Sequence, residues 1–237
     1  MKGINEMAEF SYYGNTINIF TDASVVQKGS EYYTCGAAIA ILGGNTDCPL
    51  KYSSRIFKAT NNYGEIDAIL LGILLALKLR NTFPHTRINL FSDSQISIYG
   101  LKEWLFMWAR RMKDGYFYTS EGKPVANQEV FKKIIHLINY YDLDINFYHI
   151  RGHVERVGYN KAMKGFRASN GFQISIDVIR SICKMNTLVD NYSRNTLKEA
   201  NLANYEALPT FYSYGFPEEN RREYMRQFRR HINLRGE

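Results

Sequence analysis

An α/β fold, a mixed sheet covered by helices, is predicted by three observations. Three strand-length apolar runs joined by turns come first, and two further strands then alternate with helical patterns. A hydrophobic content of 45% over 237 residues can bury a substantial core. The first strand is INIF (17–20), bounded by polar Asn15-Thr16 and Thr21-Asp22. CGAAIAIL (35–42) and YSSRIF (52–57) follow, separated by a Gly/Asn turn at 43–46. Asn61 and Asn62 are cap candidates for a helix with apolar positions Ile66, Ile69, Leu70, Ile73, Leu74 and Leu77, closed by Pro84. RINLF (87–91) is the fourth strand, followed by Ser92-Asp93-Ser94 and two short helical stretches over roughly 94–112. A polar loop (113–124) leads to an amphipathic helix from about Asn127 to Tyr140, and INFYHI (145–150) is the fifth strand. After a basic, Gly-rich loop that begins at His153, Ile176, Ile179, Ile182, Cys183 and Val189 mark one long helix to about Ala200. The last segment contains Pro209 and Pro217 and ends in a helical stretch, 218–233.

A formal charge of +7 and a pI near 9.2 suit an acidic partner such as nucleic acid. Cys35, Cys48 and Cys183 are odd in number and lack metal-ligand spacing, as expected of free thiols in a reducing compartment. The start, MKGINEMAEF, lacks a signal-peptide core, and the run AILLGILLAL (68–77) is too short to span a bilayer. The expectation is a cytoplasmic protein that does not associate with membranes.

Three acids stand where chemistry would place them. Asp22 and Asp93 end the first and fourth strands, and Glu65 lies in the first turn of the first long helix. Sites in open α/β sheets form beyond the carboxyl ends of strands, so these acids can converge there. Clustered carboxylates raise one another's pKa unless cations neutralise them, and Mg²⁺ takes a few carboxylates with water and phosphate. Two such ions about 4 Å apart stabilise the attacking and leaving oxygens in phosphodiester cleavage. Taken singly, Asp22 and Asp93 also suit turns or caps, and Glu65 suits the dipole of its helix.

The segments FTDAS, TNNYGEIDAILLGILLAL, LFSDSQISIYGLKEWLFMWARR, GKPVAN, FYHIRGH and NTLVDNYSRN resemble the successive motifs of type-I ribonuclease H, in the family's order, over roughly residues 15–200. The resemblance implies a ribonuclease H-like five-stranded mixed sheet of order 3-2-1-4-5 with helices on both faces. The C-terminal extension (201–237) after this catalytic domain (1–200) departs from the family. Its basic amphipathic helix, with Tyr224, Phe228 and Ile232 at i, i+4 and i+8, is expected to dock on the domain, with an auxiliary nucleic-acid contact or partner binding as the alternatives. The resemblance also implies a metal site of Asp22, Glu65, Asp93 and Asp190, holding two Mg²⁺ ions with Mn²⁺ tolerated. Asp177 competes for the fourth place but lacks the surrounding pattern. His153, in IRGH, matches the family's histidine loop, where an imidazole could orient water or help product leave. The alternative is a plain surface histidine.

By the same resemblance Asn61, Asn62, Gln95, Trp104, Asn127 and Asn186 would contact an RNA–DNA hybrid. Short polar groups near the site suit reading of 2′-hydroxyls. Lys102, Arg110, Arg111, Lys113 and Lys123, interleaved with Tyr116, Phe117 and Tyr118, would form a basic handle. For Trp104 and Trp108, one turn apart, core packing is the competing account. The sequence departs from the family pattern at Ala23, at the hairpin VVQKGSEYYT and in the long insertion (about 154–175) between His153 and Asp190. That insertion either reaches nucleic acid through Lys161, Lys164 and Arg167 or is a flexible spacer.

The expected activity is endonucleolytic hydrolysis of the RNA strand of RNA–DNA hybrids, by a monomer, leaving 3′-hydroxyl and 5′-phosphate ends. The rivals are a non-catalytic hybrid-binding domain of the same fold and another metal-dependent nuclease of the wider superfamily.

Overall fold

The structure is a computed structural model that describes residues 10–84, 86–152, 158–202 and 220–232. Strands β1 (Thr16–Lys28), β2 (Glu31–Leu42) and β3 (Lys51–Phe57) form an antiparallel meander. Helix α1 (Asn61–Arg80) leads to β4 (Arg87–Ser92), which pairs in parallel with β1. Next come α2 (Gln95–Tyr99), a π-helical turn (Gly100–Trp104), α3 (Leu105–Arg110) and α4 (Gln128–Tyr140). Strand β5 (Ile145–His149) closes a five-stranded sheet of order β3-β2-β1-β4-β5. Helices α5 (Tyr159–Asn170), α6 (Ile176–Glu199) and α7 (Arg221–His231) complete the described chain. The mixed sheet and its strand order agree with the expectation from sequence.

The register of the three parallel strands has a visible cause. Each carries Ile-Asn-x-aromatic, at 17–20, 88–91 and 145–148. In register, Asn18, Asn89 and Asn146 form a ladder, the first two buried and the third half-buried. Asn89 Nδ2 donates to Asn18 Oδ1 (2.9 Å) and Asn146 Nδ2 donates to Asn89 Oδ1 (3.0 Å). Phe20, Phe91 and Tyr148 stack in a second row, with neighbouring ring centroids 5.0 and 5.3 Å apart. A slip by one residue would bury these amides without partners, so the ladder holds the register.

Alternation along the strands divides the core between the two faces. Ile17, Ile19, Leu90 and Phe147 meet α1, α3, α4 and α7 on one side. Phe20, Ile39, Phe91 and Tyr148 meet α5 and α6 on the other. Helix α7 is amphipathic and docks through Met225, Phe228 and Ile232. Among the described residues no helix is long and apolar enough to cross a membrane.

Several boundaries differ from the sequence reading. The first two strands are much longer than expected, because β1 and β2 continue as a hairpin past the end of β4. That hairpin turns at Gly29, whose φ of +62° favours glycine. The cap of α1 is Thr60, whose side chain accepts from Tyr63 N, so Asn61 and Asn62 are the first helical residues. The insertion is largely α5, anchored by buried Ala162 and Phe166; a packed helix counts against the flexible-spacer alternative. Positions 218, 219 and 233 of the expected last helix lie outside the described residues.

Candidate active site

Pairing of β1 with β4 ends at Thr21↔Ser92. The next residues, Asp22 and Asp93, therefore leave strands about 4.8 Å apart side by side. Asp22 does not end its strand, as expected from sequence; it sits where β1 loses its parallel neighbour but keeps its antiparallel one. Glu65 arrives from above because α1 crosses β2 at very close range. A Cβ on Gly64 would stand 1.9 Å from Thr34 Oγ1, and one on Gly36 would stand 2.9 Å from the Gly64 carbonyl oxygen. Carboxylate oxygens of Asp22, Glu65 and Asp93 consequently lie within 4.8 Å of one another.

Burial and mutual repulsion set the electrostatics. Burial first, then the charges of Asp93 and Asp190, push the Asp22 carboxyl up to about 8. Burial, then Asp22 and Asp93, also holds Glu65 well above the usual carboxylate range. Asp22 Oδ1 accepts from Ala23 N (2.7 Å), and Asn61 Nδ2 donates to Glu65 Oε1 (3.4 Å). Glu65 Oε2 is buried with no hydrogen-bond partner. An all-oxygen donor set with an unpartnered buried oxygen fits a hard divalent cation.

Asp190 stands outside the cluster of three. Its carboxylate is ion-paired with Arg194 one turn on (2.6 Å), yet it lies close enough to raise both Asp22 and Glu65. Helix α6 is tied to β1 by a hydrogen bond between Ser193 and Ser24 (2.7 Å), two residues from Asp22. Asp177 sits in the first turn of α6, roughly 20 Å along the helix from Asp190, and pairs with Arg180. The structure thus leaves it away from the cluster. His153 lies outside the described residues.

Among the expected substrate contacts, Asn61, Asn62 and Gln95 are exposed at the first turns of α1 and α2, beside Glu65 and Asp93. Trp104 is half-buried against Trp108 and Tyr99, with centroids 6.1 and 6.4 Å away, and Trp108 packs edge-on against Phe131. Asn127 holds a left-handed conformation (φ +57°) before α4, and its side chain makes no capping hydrogen bond. Asn186 is only 5% exposed, so it presents little surface to a ligand; its Oδ1 is buried without a partner. In the handle, Phe117 is a core residue, contrary to expectation, while Tyr116 is exposed.

Two positioning residues escaped the sequence reading. A Cβ on Gly152 would meet Asp93 Oδ2 at 2.1 Å, so the glycine of IRGH leaves room for that carboxylate. His149 Nε2 donates to the Asp93 carbonyl (3.3 Å), and its Nδ1 faces Ser169 Oγ (3.0 Å). Burial lowers the pKa of this imidazole, in keeping with a neutral bracing role. The spacing of Arg194 from Asp190, i to i+4, was a usable signal. Nothing local in the sequence marks the contacts of Gly152 and His149.

Comparison with known proteins agrees with this architecture. Residues 14–166 match the family model described as RNase H. Ribonuclease H1 of Mus musculus is 31% identical over 154 residues, 65% of this chain and 50% of its own length. Ribonuclease H of Haemophilus influenzae (strain 86-028NP) is 31% identical over 137 residues, 54% of this chain and 80% of its own. The chain thus spans about half the length of the mouse relative. The prototype foamy virus protease–reverse transcriptase superposes with a TM-score of 0.57 at 16% identity, over 83% of this chain and 23% of that one, a likeness of fold.

Proposed function

The chain belongs to the RNase H family, and on that premise we propose that it is an endonuclease hydrolysing the RNA strand of RNA–DNA hybrids. The observation that carries the reading is the convergence of Asp22, Glu65 and Asp93 within 4.8 Å, on the family's motif positions. Asp22, Glu65 and Asp93 would hold Mg²⁺, with Mn²⁺ as a substitute, and Asp190 would join them by exchanging Arg194 for the cation. Divalent ions held there supply Lewis-acid stabilisation of the attacking and leaving oxygens of a phosphodiester.

The remaining work falls to the protein. Asp22, Glu65 and Asp93 present a largely buried ring of carboxyl oxygens in which a cation would replace the retained protons, so little reorganisation is needed on binding. Asn61, Asn62 and Gln95, exposed at the rim, supply short amides for the 2′-hydroxyls that distinguish RNA from DNA. Water adds to phosphorus and the bond to the 3′-oxygen breaks, leaving 3′-hydroxyl and 5′-phosphate ends. His153 would orient water or assist product release, so its removal slows turnover without abolishing it.

The test uses labelled hybrid, double-stranded RNA and double-stranded DNA, with and without Mg²⁺, and Asp93→Asn as control. Cleavage confined to the RNA of the hybrid, dependent on Mg²⁺ and lost in the variant, supports the reading. Hybrid binding without cleavage would indicate a non-catalytic domain, and cleavage of DNA alone another nuclease.

A further inference from the structure

A cleft of about 560 Å³ lies between α3 and α7, lined by none of the carboxylates or rim amides of the active site; of the expected basic handle only Arg110 lines it. Arg110, Arg221, Arg222, Arg226 and Arg229 surround it, with Phe106 among its apolar walls, and among the described residues no carboxylate lines it. Its second wall, α7, lies beyond the segment that matches the family model. We infer that this cleft is a second nucleic-acid site, binding backbone phosphates of a duplex whose scissile bond sits at the carboxylates.

The geometry of α7 shows why the arginines line the cleft and not the core. Its apolar stripe, Met225, Phe228 and Ile232, is buried. Asn139 Nδ2 donates to the Tyr224 carbonyl (3.0 Å) and Gln227 Nε2 to the Asn139 carbonyl (3.3 Å), which fixes the helix against α4. Arg221 donates to the Met112 carbonyl (3.1 Å), and Arg229 lies 4.6 Å over the Phe106 ring. Those two are structural as well as cationic. Arg226 is paired with Glu223 on its own helix, while Arg110 and Arg222 are exposed.

A cleft lined by one sign of charge with apolar walls concentrates potential and draws counter-ions. Guanidinium groups match phosphate through paired N–H donors. Position favours a nucleic acid over an acidic protein. The α2–α3 segment begins at Gln95, beside Asp93, and ends at Arg110 in the cleft wall. That run is roughly 22 Å, or about seven nucleotides at about 3.4 Å each. This inference rests on the nuclease reading for its ligand.

The experiment measures binding of a fluorescent hybrid of about 18 base pairs by anisotropy, without divalent ions, across a salt series. The wild type is compared with Arg110→Ala/Arg222→Ala/Arg226→Ala and with the matching lysine triple. Each lost phosphate contact removes about 0.9 from the logarithmic salt slope, so the alanine triple should lose roughly two to three units and bind at least about tenfold more weakly. The lysine triple should keep the slope, and a hybrid of about six base pairs, too short to reach the cleft, should bind all three alike. If the alanine triple does not fold, single variants, each costing about one unit, carry the test. An unchanged slope in a folded alanine triple overturns the inference, as does Arg-dependent binding of poly-glutamate that hybrid does not displace. Wild-type cleavage with Mg²⁺ is read separately: no cleavage but an Arg-dependent slope sinks the nuclease reading alone.

Discussion

Asp22 keeps its proton to about pH 8 in the folded chain, against 3.8 for an ordinary aspartate, because burial and the charges of Asp93 and Asp190 oppose ionisation. The folded state therefore binds more protons than the unfolded one between these values. Stability from this group is greatest at acid pH and is lost as pH rises through that window. A divalent ion replaces the proton, so its stabilising effect should grow over the same range and level off above about pH 8. Melting temperatures with and without Mg²⁺ across pH would check this, and Asp22→Asn should flatten both the slope and the Mg²⁺ effect. Asp93→Asn should lower cleavage roughly a thousandfold, the scale of losing a charge-stabilising group. Gly152→Ala would place a methyl 2.1 Å from Asp93 Oδ2. Displacing that carboxylate by about 1 Å should cost on the order of a hundredfold in rate, with little change in melting temperature.

Elements matter here through the way they approach one another. Helix α1 brings Glu65 to Asp22 only because Gly36 and Gly64 allow helix and strand into backbone contact. Across β1, β4 and β5 the asparagine ladder keeps Asp22 and Asp93 abreast. Asn89→Ala would strip buried Asn18 and half-buried Asn146 of a shared partner, at a cost of about 3 kcal/mol in urea denaturation. Phe228, fully buried under α7, should cost about 3–4 kcal/mol when truncated to alanine. That variant would also test whether α7 must be docked for the arginine cleft to exist. The asparagine ladder was visible in the sequence as a shared Ile-Asn pattern, but single-strand hydrophobicity does not reveal a row that exists only between strands.

For the whole molecule, the sheet is a platform whose two faces are closed by different helices. One end of that platform collects the acids. The far end of α3, together with α7, collects arginines, so a basic chain of net charge +7 holds a cluster of three carboxylates at one place and a dense positive cleft apart from it. Such separation suits a long polyanion that touches both. A duplex spanning both places should show a steeper salt dependence of binding than one covering the carboxylates alone.

The sequence by itself determined the α/β class, the order of strands and helices, and the three acids Asp22, Glu65 and Asp93. Those properties follow from local periodicity and from motifs of fixed spacing, which a linear string contains in full. Only the tertiary structure decided how the acids meet, that Asp190 pairs with Arg194, and that the insertion folds as α5. It also decided that Phe117 belongs to the core and that arginines from α3 and α7 share one cleft. The Asp190–Arg194 pair and α5 are local, and the sequence carried their spacing without showing that they form. The others depend on contacts between residues far apart in sequence, made by register, close helix–strand approach and docking, which no single segment encodes.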